Sequence, residues 1–167
     1  MKKIVIMIFI VMVLLLLNTK NEQIIIPSDA IRFRIIANSN NLKDQEEKIK
    51  LKNDLEPIIA NILNTSKTKE ETKNNINDNL NLIKKTVESH NLDYNLNFGQ
   101  NYFPEKTYKG ITYSSGNYDS LVITLGSGKG DNWWCVLFPP LCLIEAQEDN
   151  LDDYTYTSYI KELIDKY

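Results

Sequence analysis

The sequence predicts an α+β fold: a two-layer sandwich of two amphipathic helices packed on a mostly antiparallel sheet of about five strands, preceded by an N-terminal hydrophobic export segment. Three observations carry this. Apolar residues alternate over residues 30–37, recur at helical spacing from Leu42 to about residue 90, and alternate again from Leu92, where Gly and Pro punctuate the runs.

The chain opens with Lys2 and Lys3, followed by fourteen consecutive apolar residues from Ile4 to Leu17. A charged start and a short apolar core form the pattern that an export apparatus engages. At about 1.5 Å per residue, fourteen residues fall short of a hydrocarbon core about 30 Å thick. The following Asn18, Thr19, Lys20, Asn21 and Glu22 offer no small-x-small cleavage pattern. Residues 1–20 are therefore read as a signal peptide or a retained, tilted signal anchor. In both cases the two lysines stay on the cytoplasmic side and the globular part works outside the cytoplasm. Residues 21–29, with Pro27, form a linker.

Next, Ile31, Phe33 and Ile35 alternate with Arg32 and Arg34, the pattern of a half-buried strand. Asn38-Ser39-Asn40-Asn41 supplies turn and helix-cap residues. From Leu42, apolar positions Ile49, Leu55, Ile58, Ile59 and Ile62 fit one helical face, with Pro57 expected to kink or restart the helix. Thr68 and Glu71 make a capping box for a second helix over about 68–90, whose buried face is Ile76, Leu80, Ile83 and Val87. Beyond it, Tyr94, Leu96 and Phe98 alternate with asparagines. Tyr118 to Leu125 reads as a strand, residues 126–131 as a glycine-rich loop, and Trp133 to Phe138 as a final strand. Residues 30–145 thus form one domain, and 146–167 an acidic tail with a short helix suggested by Tyr156, Ile160, Leu163 and Ile164.

Charge and composition narrow the function. The chain holds 19 Lys+Arg against 22 Asp+Glu, and losing Lys2 and Lys3 with residues 1–17 brings the net charge to −5. That balance argues against nucleic acid as a partner. His90 is the sole histidine and lies at an expected helix end, so no Ser-His-Asp or Cys-His set is assembled and no metal site is expected. Gly128-Lys129 lacks the spacing and the following Ser or Thr of a phosphate loop. No catalytic residues and no cofactor are assigned. Cys135 and Cys142, flanking Pro139-Pro140, permit a disulfide in an exported chain; two buried thiols are the other reading, and both stay open. Both tryptophans, Trp133 and Trp134, are adjacent, so on a strand one points into the core and the other outward as a binding candidate.

Taken together, several stretches resemble the stage II sporulation protein R family of endospore-forming bacteria. They are Ile31 to Ser39 with Asp44-Gln45 and Lys48-x-Lys50; Phe98-Gly99; Tyr102-Phe103-Pro104-x-Lys106-x-Tyr108; Gly116-x-Tyr118; and Gly126-x-Gly128-Lys129-Gly130-x-Asn132 through Cys142. Arg34 stands where many family members carry His, so a role for that His is not carried over. The resemblance implies a signalling protein without enzymatic activity, made in the forespore and exported into the intermembrane space. There it would activate a membrane-embedded aspartic protease that processes the sigma factor E precursor. Candidate partner contacts are Arg32, Arg34, Asn38, Lys129, Asn132, Trp133 and Trp134. The alternative is an exported cell-wall-binding or hydrolase domain with a groove of Tyr102, Tyr108, Tyr113 and Tyr118.

Overall fold

The computed structural model of the chain describes Met7 and residues 24–108, 111–142 and 153–166. Apart from Met7, the expected leader at residues 1–20 lies outside the described residues, as does the first part of the expected tail. Among the described residues no helix is long and apolar enough to cross a membrane.

In chain order the elements are β1 (Ile24–Ile25), β2 (Ile31–Ile36), α1 (Leu42–Asn64), α2 (Lys69–Ser89), β3 (Tyr94–Phe103), β4 (Lys106–Tyr108), β5 (Ile111–Tyr113), β6 (Gly116–Leu125), β7 (Asn132–Phe138) and α3 (Asp153–Lys166). The fold is α+β, as the periodicity predicts. Both helix starts are capped by the residues expected from the sequence. The Asn41 side chain accepts from the Asp44 N–H, and the Thr68 side chain accepts from the Glu71 N–H while Glu71 accepts from the Lys67 N–H. Pro57 sits inside α1, which neither stops nor restarts there. Pro57 and Asn53 are exposed, so the Asn53 carbonyl that proline leaves without a partner faces water.

The main sheet has the order β3-β6-β2-β7. β3 and β7 run antiparallel to their neighbours, whereas β2 and β6 are parallel, Phe33 lying opposite Leu121 on one side and Cys135 on the other. A second sheet, β1-β5-β4, accompanies it. Its strands are two or three residues long, too short to show a period of two in the sequence.

One face of the main sheet carries Ile31, Phe33, Ile35, Leu121, Ile123, Leu125, Cys135 and Leu137, and α1 and α2 close over it with Leu51, Leu55, Ile59, Ile76, Ile83 and Val87. A second apolar cluster joins Ile26, Ala30, Ile111, Tyr113, Val136 and Leu141 to Ile160 of α3, with Leu163 and Ile164 packed against it. The tail helix is thus part of the packed structure. Cys135 and Cys142 are joined as a disulfide, their Cα atoms 5.5 Å apart.

Two leucines of α1 measure what the core contributes. Leu55 is fully buried and Leu42 is 76% exposed. Leu55→Ala should cost about 2–5 kcal/mol in chemical denaturation, and Leu42→Ala should stay within about 0.5 kcal/mol of the parent.

Candidate functional site

Two arrangements hold most of the residues singled out by sequence. The first follows from topology. β6 and β7 are consecutive but do not pair, because β2 lies between them. The connection 126–131 must therefore pass over the C-terminal end of β2. There the Gly130 N–H donates to the Ala37 carbonyl at 2.9 Å and the Lys129 N–H to that of Asn38 at 3.1 Å. The Ser127 N–H donates to Asn38 Oδ1 at 2.9 Å. Gly126 and Gly128 have positive φ angles of 51° and 63°. A Cβ on Gly130 would overlap the Ser39 carbonyl, and one on Gly126 the Asn38 amide.

The start of α1 is tied into the same crossing. Asp44 accepts from Ser39 Oγ at 2.6 Å, Asn38 Nδ2 at 2.8 Å and Asn41 Nδ2 at 3.0 Å. The bonds from Ser39 and Asn38 hold its carboxyl below the usual aspartate range, against an opposing push from partial desolvation. Lys48, 6% exposed, donates to the Asp131 carbonyl at 3.0 Å and to Gln45 Oε1 at 2.7 Å. Burial lowers its pKa, with Asp131 pulling the other way. Asn38 is therefore a structural clamp, while Lys129 is exposed at the loop tip. His90 is not the exposed helix-end residue that its position suggests. Its side chain is 9% exposed and its Nε2 lies 3.0 Å from Asp54 Oδ2 on α1. Among the described residues no three His, Cys, Asp or Glu side chains cluster as a metal site.

The second arrangement lies on the sheet face away from α1 and α2. Arg32, expected to point toward solvent or a partner, is 1% exposed, because the rings of Tyr118 and of Tyr113 in β5 close over it. Its guanidinium carbon lies 3.5 Å from the Tyr118 ring centre, 5.3 Å from that of Phe103 and 6.0 Å from that of Tyr113. Nη2 donates to the Ser114 carbonyl at 3.1 Å, while Nε and Nη1 bond to no oxygen. The π faces supply the attraction instead, each such contact being worth about 0.5–2 kcal/mol. A buried donor without a partner costs about 1–3 kcal/mol. Burial lowers the Arg32 pKa, with Tyr118 and Tyr113 opposing.

Arg34 follows on the same face, only partly covered, 4.5 Å above the Phe103 ring, and its shielded Nε bonds to nothing. Burial lowers its pKa too. Trp134 meets Phe103 edge to face at 5.4 Å, with Lys106 Nζ 5.0 Å from its ring. Trp133 points to the opposite face and meets Phe33 edge to face at 5.4 Å. Both tryptophans are half-buried, so neither is a simple core or surface residue. The structure thus brings Arg32, Arg34 and Trp134 together, with Asn132 in the next row of the same face, and leaves Trp133 on the opposite face and Asn38 and Lys129 at the crossing. Phe103 organises the group, and sequence reasoning assigned it no role. The available signal was its position, a fourth aromatic in the run that begins at Tyr94. Of Tyr102, Tyr113 and Tyr118, only Tyr102 is exposed, which removes the row of tyrosines that a polymer groove needs.

Comparison with known proteins agrees with the motifs. The family described as Stage II sporulation protein R (spore_II_R) matches residues 27–148. The Stage II sporulation protein R of Bacillus subtilis (strain 168) is 35% identical over 155 residues, covering 89% of this chain. The match spans 66% of that relative's length, slightly less than two thirds. No solved structure matches.

Glycines at the crossing and in β3 should respond differently to a side chain. Gly130→Ala should lower stability by about 1–3 kcal/mol through overpacking. Gly99→Ala, where a Cβ meets nothing closer than 3.8 Å, should be neutral or stabilising. Because the Asp44 pKa is depressed in the folded state, its contribution is present above the ordinary aspartate pKa and lost as pH falls through the folded value. Thermal melts of the parent should therefore decline more steeply on acidification than those of Asp44→Asn.

Proposed function

We propose that this chain, which belongs to the stage II sporulation protein R family, is an exported signalling protein of sporulation that acts by docking and not by catalysis. It is a stage II sporulation protein. In the proposed reading it is made in the forespore and crosses into the intermembrane space by way of residues 1–20, whether these are cut or kept as an anchor. There it activates a membrane-embedded aspartic protease, which removes the pro-sequence of the sigma factor E precursor. The observation that carries the reading is the family match over residues 27–148.

Physical chemistry sets the condition for such a messenger. It can shift the protease only by binding the active state more tightly than the inactive one. Moving a population from 1:99 to 99:1 requires about 10⁴-fold preference. A rigid face with preplaced aromatic and cationic groups suits that demand, since little ordering remains to oppose association.

Co-expression with the candidate protease and its sigma precursor, in a cell lacking other sporulation proteins, tests the proposal. Precursor cleavage should appear with the full chain and not with a chain lacking residues 1–20. Cleavage that proceeds without the chain, or fails with it, would overturn the reading.

A further inference from the structure

The register places side chains of the face away from α1 and α2 in transverse rows: Val136, Arg32, Ser120 and Gly99; then Trp134, Arg34, Val122 and Asn97; then Asn132, Ile36, Thr124 and Asn95. None of the three rows contains Asp or Glu. In the first row Arg32 lies beneath the rings of Tyr113 and Tyr118. In the next two, Val122 and Ile36 form an apolar floor joined to Phe103, Tyr118 and Trp134. Arg34 sits recessed at the inner end of this floor.

Phe103 is shared by both guanidinium groups, with the Arg32 carbon 5.3 Å and the Arg34 carbon 4.5 Å from its centre. Shielded arginines are ordinarily matched by carboxylates. Here Arg32 Nε and Nη1 and Arg34 Nε lack hydrogen-bond partners. The fold removes water from these groups without replacing it. Arg32 is sealed, so Arg34 is the one of the two that a visitor can reach.

We propose that this face is the docking surface for an acidic segment of a protein partner, with one Asp or Glu carboxylate seated on Arg34 beside Trp134 and Phe103. Flanking residues of the segment lie across Ile36, which is only partly buried, while Val122 beneath Phe103 and Tyr118 is closed to it. A planar carboxylate fits the guanidinium fork in bidentate fashion. Arg34 has already given up much of its hydration, so the partner meets less of that cost on binding. The rest of the chain favours the same occupant by contrast. Its net charge is −3, which repels an acidic segment except where acids are excluded. A lipid phosphate would call for protruding cations, whereas this arginine is recessed between rings. The identity of the partner as the protease rests on the function proposed above; the carboxylate preference of the face does not.

The test has two arms. In the first, the purified full chain is titrated with acetylated pentapeptides of one sequence carrying a central Glu, Gln or phosphoserine, and separately with phosphatidylglycerol vesicles. The Arg34 Nε–H and Trp134 indole resonances are followed. The Glu peptide should shift both, the shift should shrink with salt, and Arg34→Gln should abolish it. Equal response to the Gln peptide, preference for phosphoserine or vesicles, or no response at all would overturn the assignment.

In the second arm, Arg34→Gln enters the co-expression assay. Cleavage should fall at least tenfold at unchanged melting temperature, whereas Lys85→Gln, on the exposed side of α2, should stay within twofold. Arg34→Glu should be rescued by one acid-to-arginine change in an exported-side loop of the protease. Undiminished cleavage with a folded Arg34→Gln chain would overturn the docking role. If Arg34→Gln does not fold, the peptide titration of the parent decides. Failure of the parent chain to promote cleavage would sink the messenger reading and leave the face to be judged by the first arm.

Discussion

The architecture depends on the insertion of β2 between β6 and β7. Two strands that are adjacent in sequence are held one strand apart, and their connection must clear the end of the intruder. That requirement explains why three glycines cluster at 126–130. Two adopt positive φ, and the third lies so close to the Ser39 carbonyl that a side chain would not fit. It also explains why residues 37–48 are so densely bonded. Asn38, Asp44 and Lys48 join the end of β2, the start of α1 and the crossing loop in one hydrogen-bonded unit.

A second constraint acts on the opposite face. The small sheet needs a reason to stay, and its hydrophobic contacts through Ile111 and Tyr113 are reinforced by Arg32, whose guanidinium is held among three rings. Stability comes here from cation–π attraction, and among the described residues no carboxylate pairs with either arginine. The same stack leaves Arg34 in a half-dry position. Structural and binding roles are thereby divided between two arginines separated by one residue and resting on one phenylalanine.

Much of this was legible in sequence, and the exceptions are instructive. The strand at 31–36, both helices with their caps, and the strands at 94–103, 116–125 and 132–138 all follow from periods of 2 and 3.6 and from capping chemistry. Arg32 was misplaced because alternation reports which face a residue occupies, not whether a second layer covers that face. The covering strands at 106–108 and 111–113 are too short to announce themselves. His90 was misjudged for a related reason: its burial depends on Asp54 and Glu47 of the neighbouring helix, a contact that local pattern does not encode. The parallel pairing of β2 with β6 was likewise invisible, since alternation fixes a strand's faces but not its neighbour or direction.

The inserted strand also has a consequence in time. Phe33, made early, must wait for Leu121 and Cys135 before its slot exists. The α1–α2 hairpin can associate locally, but the central ladder cannot zip until nearly the whole polypeptide has been synthesised. Long-range pairing of this kind slows acquisition of structure. A nascent chain cannot close its central ladder until the residues of β6 and β7 have been made, so the topology itself delays compaction.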